Sequence, residues 1–359
     1  MVYDEVLRAV RAPVKISFEP TMSCNLRCPM CDRTHKSDYE KHRDGKLPYE
    51  TVKRFLQDAG RLGTRNFLFI GGGEPLAEPH LPEYMQILND SGVSVHLWTN
   101  GTLINEENAP LIARYCDMVT VSLDSPDPAV NDICRGVPGA TERSIAGLRL
   151  LRENSSSLYL RIHSVISTLN IDHLRDFADF AAENDLNEIG GALIAPFDFI
   201  PKNMRFTEEQ VGMISNRIED LCEYARKKRV PFACNYANMS AKIIRNLQNI
   251  HNMYSAPGRD DSFGHITCLN LWGQLVVRPN GDVSVCCFSY KPILGNLHDN
   301  TLEEIWHSER AEELRELVKS GKYIDSPCLG CDSGHPVFTR DLALTGSLRS
   351  FQEMCLTAR

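Results

Sequence analysis

Short apolar and β-branched runs alternate with amphipathic segments from about residue 15 to residue 200. We interpret six runs as strands: KISFEP, NFLFIGG, VSVHLWTN, MVTVSLD, LYLRIHSVIS and EIGGALIA. Between them lie segments with helical periodicity, such as YETVKRFLQDAGRLG and DHLRDFADFAAENDL. Strands that alternate with helices predict a parallel sheet with right-handed crossovers. Six units fit an incomplete (β/α) barrel or an open doubly wound sheet, and the pattern alone does not choose between them.

The pattern changes beyond residue 200. Residues 207–229 predict one long helix, followed by VPFACNY, and the polar stretch SAPGRDDSFGH marks a boundary near residue 260. The segment LVVRPNGDVSVCCF then predicts two strands around a Pro-Asn-Gly-Asp turn. The segment TLEEIWHSERAEELRELVKSG predicts a helix that begins with Thr301 as N-cap and an acidic first turn.

Composition excludes several classes of protein. The chain has 359 residues, which suffices for one large α/β barrel and a smaller module. A net charge of −8 argues against a broad nucleic-acid surface. No apolar run is long enough to predict a transmembrane helix, and the charged N-terminus does not resemble a signal peptide. We therefore expect a cytoplasmic protein without a membrane or nucleic-acid partner.

Thirteen cysteines change this picture of an ordinary globular enzyme. Without a secretion signal, clustered thiols in a reducing compartment more often bind metal than form disulfides. Seven of them fall into two groups, which are Cys24, Cys28, Cys31 and then Cys268, Cys286, Cys328, Cys331. Each group predicts one metal centre.

The first group is Cys24-Asn-Leu-Arg-Cys28-Pro-Met-Cys31, directly after the first predicted strand. Three thiolates are one ligand short of the full set for a [4Fe–4S] cluster, which leaves one iron open to a substrate or cofactor. The alternative is a structural zinc site, which needs four ligands and has His35 as its nearest fourth candidate.

This C-x3-C-x2-C motif resembles the signature of the radical S-adenosylmethionine (SAM) superfamily. The loop Gly71-Gly72-Gly73-Glu74-Pro75, at the end of the second strand, resembles that family's GGE motif, whose region binds the SAM amino group. Glycine permits close backbone approach to a ligand. Met30 occupies a position that is often aromatic in the family, and it can still cover the adenine face.

Polar residues at later strand ends extend the resemblance. Thr99-Asn100-Gly101 resembles the family's TNG motif, and Ser122, Asp124 and Arg135 resemble its S-x-D…R-G stretch, which helps hold the SAM ribose and carboxylate. Ser164 lies on the fifth predicted strand, where a polar residue often contacts SAM. The alternatives remain that Asn100 belongs only to a turn, Asp124 only caps a helix and Ser164 is only a strand residue.

The resemblance implies a partial (β/α)6 TIM-type barrel with its site at the carboxyl ends of the strands. The predicted units are listed here in order: a radical SAM barrel at 13–200, a helical linker at 201–260, a cysteine-rich auxiliary iron–sulfur module at 261–335 and a tail at 336–359.

The second group resembles the SPASM/twitch extension of radical SAM enzymes. The G-x4-C hairpin that ends at Cys286, the LGN turn, the helix at TLEEIW and the final C-x2-C occur in the family's order. Cys268, Cys286, Cys328 and Cys331 suffice for one fully ligated auxiliary [4Fe–4S] cluster. The layout is similar to that of a radical SAM dehydrogenase that acts on an amino-cyclitol in antibiotic biosynthesis.

Two alternatives concern this second group. A zinc ribbon would use the same four cysteines. Cys287 adjoins Cys286, and adjacent strand residues face opposite ways, so both should not ligate one cluster easily.

The resemblance implies reductive cleavage of SAM to a 5′-deoxyadenosyl radical, with electrons from a flavodoxin- or ferredoxin-type reductant. That radical removes a hydrogen atom from the substrate. We expect a dehydrogenation, for which His96, His163 and Asp198 are candidate bases. An epimerase using a thiol such as Cys234, a decarboxylase, a dehydratase and a peptide-modifying maturase are alternatives.

A small polar substrate, such as a sugar, amino-cyclitol or nucleoside, is the expected class. Peptide-modifying relatives often carry an N-terminal leader-recognition domain, whereas only a short segment precedes Cys24. A different class of function, a non-catalytic iron–sulfur or zinc protein, also stays open, although such a protein needs no SAM-binding loop.

Overall fold

The computed structural model describes residues 12–35, 45–194, 199–207, 210–234, 270–286 and 292–319. Within these ranges ten strands form one sheet, in the order β10-β9-β8-β1-β2-β3-β4-β5-β6-β7. The strands are β1 (Lys15–Phe18), β2 (Asn66–Phe69), β3 (Ser94–Thr99), β4 (Met118–Ser122), β5 (Tyr159–Ile166), β6 (Glu188–Leu193), β7 (Phe232–Cys234), β8 (Gln274–Val277), β9 (Asp282–Ser284) and β10 (Gly295–Asn296).

Helices connect these strands and pack on one side of the sheet. They are α1 (Tyr49–Leu62), α2 (Leu81–Asp90), α3 (Ala109–Tyr115), α4 (Pro128–Arg135), α5 (Ala140–Asn154), α6 (Leu174–Glu183), α7 (Val211–Lys227), α8 (Asn270–Gly273), α9 (Leu302–Trp306) and α10 (Glu309–Lys319). Consecutive helices contact one another, as α1 with α2 and α6 with α7 do. Strands β1 to β7 are all parallel, which confirms the predicted (β/α) alternation.

Side chains alternate between the two faces of the sheet. In β3, Val95 and Leu97 are buried, whereas His96 and Trp98 are only partly buried. The buried face packs against the helices and carries the main apolar core, in which Phe18 lies edge-on to Phe55 of α1 with ring centroids 5.5 Å apart. The other face lines the interior of the partial barrel. In β3 and β5 this interior face carries the partly buried side chains of His96, Trp98, Arg161 and His163.

The predicted hairpin after residue 270 is confirmed, and its position in the fold is new. Strands β8 and β9 are antiparallel, and Gly281 adopts φ +87° in the turn between them, where its N–H donates to the Arg278 carbonyl at 2.9 Å. Strand β8 also pairs in parallel with β1. The cysteine-rich module therefore extends the barrel sheet rather than standing apart from it.

Two further elements differ from the predictions. The segment predicted as one helix from Thr301 is two helices, α9 and α10, because the Ser308 side chain accepts from the Ala311 N–H at 3.2 Å and starts a new helix. The predicted N-cap is confirmed, since Thr301 and Glu304 form a reciprocal capping box.

Strand β7 adds a seventh parallel strand, beside β6, within the range predicted as a helical linker. The predicted limits of the four units otherwise stay predictions. Across the described parts of the chain, no helix combines the length and apolarity needed to cross a bilayer.

Candidate functional site

The loop with Cys24, Cys28 and Cys31 leaves the carboxyl end of β1 and ends in a short 3-10 turn. All three thiols are partly buried, and the Cys31 N–H donates to the Cys28 carbonyl at 3.1 Å. Burial raises the pKa of Cys28 to about 11 and raises the pKa of Cys31. Thiolates at such positions need a bound cation to compensate for lost hydration, and iron supplies that charge. The donor set therefore fits an iron–sulfur cluster.

The surroundings of this loop do not favour a zinc site with His35 as fourth ligand. Within the described residues no group of three His, Cys, Asp or Glu side chains is spaced for a single metal ion. The proposed fourth zinc ligand, His35, lies with Nε2 2.6 Å from the Pro29 carbonyl oxygen, and its ring packs against Phe199 at 5.2 Å between centroids. Met30 packs against an apolar group that includes Cys134 and Met204.

The carboxyl end of helix α4 contacts the loop of Cys24, Cys28 and Cys31. The Arg27 N–H donates to the carbonyl of Arg135, the last residue of α4, at 3.2 Å. The next residue, Gly136, caps the helix in the left-handed conformation with φ +69°. A Cβ at Gly136 would lie 2.1 Å from the Arg27 carbonyl oxygen. Only glycine permits this approach of the two backbones.

Asp124 and Arg135 form a buried ion pair under the loop. Arg135 Nη2 lies 3.0 Å from Asp124 Oδ2, and the other carboxylate oxygen accepts from the Val165 N–H at 2.8 Å. Burial raises the pKa of Asp124, and the Arg135 charge opposes that shift. The guanidinium also lies within hydrogen-bonding reach of the Cys28 thiol. Both residues were predicted to contact SAM; they are brought together with Cys28, and direct contact with SAM stays a prediction.

The glycine-rich loop packs on the residues that precede Cys24. The Gly73 N–H donates to the Thr21 carbonyl at 2.9 Å, and the Glu74 N–H donates to the Ser23 carbonyl at 2.8 Å. A Cβ at Gly73 would lie 2.2 Å from the Ser23 carbonyl oxygen, and Gly72 beside it is buried. Close backbone approach is thus the physical requirement at Gly73.

The Glu74 side chain joins this loop to the end of β3. Its carboxylate accepts from the Thr99 hydroxyl at 2.5 Å, the Asn100 N–H at 2.7 Å and the Leu76 N–H at 3.1 Å. Burial raises the pKa of Glu74, whereas these three donors stabilise the charged form. Glu74 therefore positions the GGE and TNG loops relative to each other.

Asn100 joins the end of β3 to the cysteine loop. Its Nδ2 donates to Asn25 Oδ1 at 3.0 Å and lies 3.9 Å from Cys24 Sγ. Its Oδ1 accepts from the Thr102 N–H and hydroxyl, and Asn25 Nδ2 donates to the same hydroxyl at 2.7 Å. Asn25 and Thr102 were not among the residues predicted from the sequence. Their positions inside the C-x3-C motif and directly after TNG are the signal that could have identified them.

Ser122 and Ser164 lie on opposite faces of the sheet. Ser122 ends β4 and aligns with His163, which faces the barrel interior. Ser164 belongs to the buried face of β5, is 3% exposed and accepts a hydrogen bond from Asn170 Nδ2 at 3.1 Å. Contact of either serine with SAM stays a prediction.

The interior face of β3, β5 and β6 carries a wall of connected side chains. The rings of Trp98 and His163 lie 5.1 Å apart, and the Arg161 guanidinium lies 5.2 Å from the Trp98 ring centroid. Arg161 Nη1 lies 3.0 Å from Glu188 Oε1, and the Tyr159 hydroxyl donates to Glu188 Oε2 at 3.0 Å. These five residues form the interior wall.

Two histidines of the barrel have lowered pKa values. Burial lowers the pKa of His163 to about 4, with further lowering from the Arg161 and Arg135 charges. Burial also lowers the pKa of His96, which aligns with Met118 near the amino end of β4. His163 aligns with Ser122 at the carboxyl end. The third predicted base, Asp198, lies outside the described residues.

The described part of the second cysteine group is Cys286, just after β9. It is partly buried, and its carbonyl oxygen accepts from the Ser284 hydroxyl at 3.2 Å and from Arg278 Nη2 at 3.4 Å. The other predicted ligands and the ambiguous neighbour lie outside the described residues; they are Cys268, Cys328, Cys331 and Cys287. Cys234, the predicted thiol donor, is the last residue of β7 and aligns with Gly191.

Comparison with known proteins identifies two domains. The family model of the radical SAM superfamily matches residues 18–181, and that of the SPASM iron–sulfur cluster-binding domain matches residues 268–332. The predicted family resemblance and the predicted fold are thus confirmed. So is the cofactor set: a SAM-binding [4Fe–4S] cluster, an auxiliary cluster and SAM itself.

Curated relatives cover most of the chain. An AdoMet-dependent heme synthase of Methanosarcina barkeri is 27% identical over 87% of this chain and 86% of its own length. The mycofactocin maturase MftC of Mycolicibacterium smegmatis is 28% identical over 92% of this chain and 78% of its own length. Among solved structures, SuiB of Streptococcus suis bound to S-adenosylmethionine has a TM-score of 0.66 at 17% identity, covering 86% of this chain and 68% of SuiB. That likeness concerns the fold.

Proposed function

The chain belongs to the radical SAM superfamily and carries a C-terminal SPASM domain, and from this premise we propose that it oxidises a carbon centre of its substrate by two electrons. One observation carries the radical chemistry: the segments after β2, β3 and α4 contact the loop of Cys24, Cys28 and Cys31 or the residues just before it. The oxidation is favoured because the four cysteines of the second group leave no ligand position open on an auxiliary cluster, which suits that cluster to accepting an electron. An electron carrier or a structural metal protein would need no such convergence of loops.

Residues of both cysteine groups would hold the clusters. Cys24, Cys28 and Cys31 would ligate three irons of the first cluster and leave one for SAM, whereas Cys268, Cys286, Cys328 and Cys331 would complete the auxiliary one. When bound, these groups supply a 5′-deoxyadenosyl radical that removes a hydrogen atom from carbon, and an acceptor for the second electron. The protein's own contribution is positioning, exclusion of water and proton transfer.

Asn100 and Arg135 orient the first cysteine loop in this proposal. Asn100 fixes Asn25 and lies near Cys24, while Arg135 contacts the Cys28 thiol and binds the Arg27 backbone. These contacts come from two different strand–helix units, so they hold both ends of the C-x3-C segment. A loop that is held at both ends keeps its thiols in one arrangement. A metal site requires this, because its ligands must be held in a fixed geometry.

His163 is the proton acceptor that the interior favours. A carbon radical beside a hydroxyl gives up its second electron more readily once that hydroxyl loses its proton. His163 faces the interior beside Ser122, at the carboxyl end of β4, and its ring is held against Trp98. This position, and not its basicity, makes it the candidate, because burial and nearby arginines lower its pKa to about 4. A neutral imidazole has a free nitrogen lone pair that accepts a proton. His96 lies deeper, toward the amino ends of the strands.

The names of the relatives change the expected substrate class. The expected sugar, amino-cyclitol or nucleoside substrate has no counterpart in the names of the heme synthase and the mycofactocin maturase. One name refers to heme, which is a tetrapyrrole cofactor, and a further relative, 26% identical over 91% of this chain, is a PqqA peptide cyclase of Streptomyces rochei. We therefore propose a cofactor precursor, either a tetrapyrrole or a peptide, in place of the small polar substrate.

Anaerobic reconstitution with iron, sulfide, SAM and dithionite tests the proposal. We expect 5′-deoxyadenosine from the wild-type chain and none from Cys28→Ala. A panel of tetrapyrrole precursors, precursor peptides and amino-cyclitols is then added, and we expect one of the first two classes to stimulate product formation. Stimulation by an amino-cyclitol alone would reject the proposed substrate class.

Mass spectrometry of the product decides the reaction type. Loss of two hydrogens supports the two-electron oxidation. An unchanged mass with solvent deuterium on carbon would indicate epimerisation and would make Cys234 the candidate hydrogen donor. Loss of water, or of CO2 without oxidation, would reject the proposed oxidation. Absence of 5′-deoxyadenosine under all conditions would reject radical chemistry and favour a non-catalytic iron–sulfur protein.

A further inference from the structure

Two buried charges meet where β1 and β8 end. Glu19 directly follows β1 and Arg278 directly follows β8; they are 4% and 2% exposed. Arg278 Nη1 lies 3.6 Å from Glu19 Oε1, and the Glu19 N–H donates to the Val277 carbonyl at 2.9 Å. Because β1 and β8 are parallel neighbours, their carboxyl ends lie side by side. The pair therefore bridges the barrel and the cysteine-rich module.

Arg278 contacts a cysteine of the second group, whereas Glu19 is linked to the first group through the chain. Glu19 precedes the segment that begins the first cysteine loop at Cys24. Arg278 Nη2 lies 3.4 Å from both the Ser284 hydroxyl and the Cys286 carbonyl, and that hydroxyl donates to the same carbonyl at 3.2 Å. The Cys286 backbone is thus held by two donors, one of which is the guanidinium paired with Glu19.

Stability alone does not account for such a pair. The desolvation of two buried charges offsets most of their attraction, and apolar residues of similar volume are often as stable. A charge next to an iron–sulfur cluster has a separate effect, since the potential depends on nearby charge and on hydrogen bonds around the ligands. The place of the pair, beside one cysteine group and leading to the other, favours this second role.

We propose that Glu19 and Arg278 form a positioning pair that fixes Cys286 relative to the end of β1, which leads to the first cysteine loop, and that their two charges offset each other beside the auxiliary cluster. The inference rests on the proposed ligation of that cluster by Cys286. Each charge alone shifts the potential of the cluster, in opposite directions. Removal of the positive charge disfavours the reduced, more negative cluster, and removal of the negative charge favours it.

The test isolates the auxiliary cluster in the full-length chain. In a background with Cys24, Cys28 and Cys31 all changed to Ala, iron content, the EPR line shape and the midpoint potential report on the remaining cluster. We expect Arg278→Met to shift the potential to more negative values and Glu19→Gln to shift it to more positive values. The double variant should give an intermediate potential with an altered line shape, because the contacts to Cys286 are lost.

A matched control uses another buried arginine of the same module. Arg315 is 6% exposed and donates to the Leu271 and Trp306 carbonyls, without a described contact to Cys286. Arg315→Met should leave the potential at its wild-type value. Equal potentials for Arg278→Met and Glu19→Gln, or shifts in the same direction, would overturn the inference.

Two further outcomes concern cluster assembly in the single variants and in Cys286→Ala. If both single variants fail to assemble a cluster, the double variant decides, because it removes the two charges of the pair together. An unaltered EPR line shape in that variant would then overturn the inference, and an altered one would support it. If Cys286→Ala keeps the iron content and EPR line shape of the wild-type cluster, the proposed ligation by Cys286 is wrong, and the inference that rests on it is wrong too. If Cys286→Ala loses the cluster while Arg278→Met and Glu19→Gln both keep the wild-type potential, the inference about the pair is wrong but the proposed ligation by Cys286 stands.

Discussion

Gly136→Ala should disturb the site from outside the cysteine motif. The new Cβ would lie 2.1 Å from the Arg27 carbonyl oxygen. That separation is far inside the ~3.5 Å of an ordinary contact, so the Arg27 backbone must move by about 1 Å. A left-handed residue with a Cβ costs about 1–2 kcal/mol, and overpacking adds about 1–3 kcal/mol. We therefore expect the free energy of unfolding to fall by about 2–5 kcal/mol.

The effect on chemistry should be larger than that on folding. Arg27 lies between Cys24 and Cys28, so its displacement moves the proposed cluster ligands. A misplacement of about 1 Å can reduce a rate by about 100-fold. We expect SAM cleavage per bound iron to fall by about that factor, measured as 5′-deoxyadenosine after anaerobic reconstitution. Unfolding in urea, monitored by circular dichroism, gives the stability.

Gly63 provides the matched control. It caps α1 in the same left-handed conformation, with φ +89°, and a Cβ there meets no atom within 4 Å. Gly63→Ala should cost only about 1–2 kcal/mol and leave SAM cleavage per iron unchanged. If both variants lost the same stability and cleaved SAM at the wild-type rate, the reasoning about the Arg27–Gly136 approach would be wrong.

Three further predictions concern single groups. Cys28→Ala should abolish SAM cleavage, whereas Cys331→Ala should keep uncoupled cleavage and lose product; wild-type cleavage by both variants would refute these roles. The pKa of His163 is lowered from 6.5 to about 4, so the folded state resists protonation and stability is lost as pH falls through this window. His163→Gln should reduce that loss by up to about 3 kcal/mol in urea unfolding across the window, and an unchanged pH dependence would contradict the assignment. Glu74→Gln leaves one of three donors without its acceptor and should cost about 1–3 kcal/mol with a raised KM for SAM; an unchanged KM would exclude the positioning role of Glu74.

Local patterns were sufficient for several features of this protein. The alternation of apolar runs predicted the parallel sheet, the Asn280-Gly281 turn predicted the β8–β9 hairpin, and Thr301 before an acidic first turn predicted the helix N-cap. The cysteine spacings and the GGE loop carried the family resemblance. All of these are contained within a few consecutive residues, so spacing and periodicity report them directly.

Other features depended on tertiary structure. Strand β7 has three residues and β10 has two, which is too short for an alternating pattern to register. The helical periodicity of the sequence continues across Ser308, so the pattern does not show that one helix ends and another begins there. Alternation also does not decide which face of β5 lines the interior. A period of two places His163 and Ser164 on opposite faces, but it does not show which of the two faces inward.

The long-range contacts of the site were decided only by the fold. Glu19 meets Arg278, and Asn25 meets Asn100, because β8 pairs with β1 and because the ends of β1 and β3 lie on the same edge of the sheet. Residue types and local spacing carry no information about which strands become neighbours. That choice depends on the combined packing of all strands and helices, and it is this packing that brings separate polar residues to one cysteine loop.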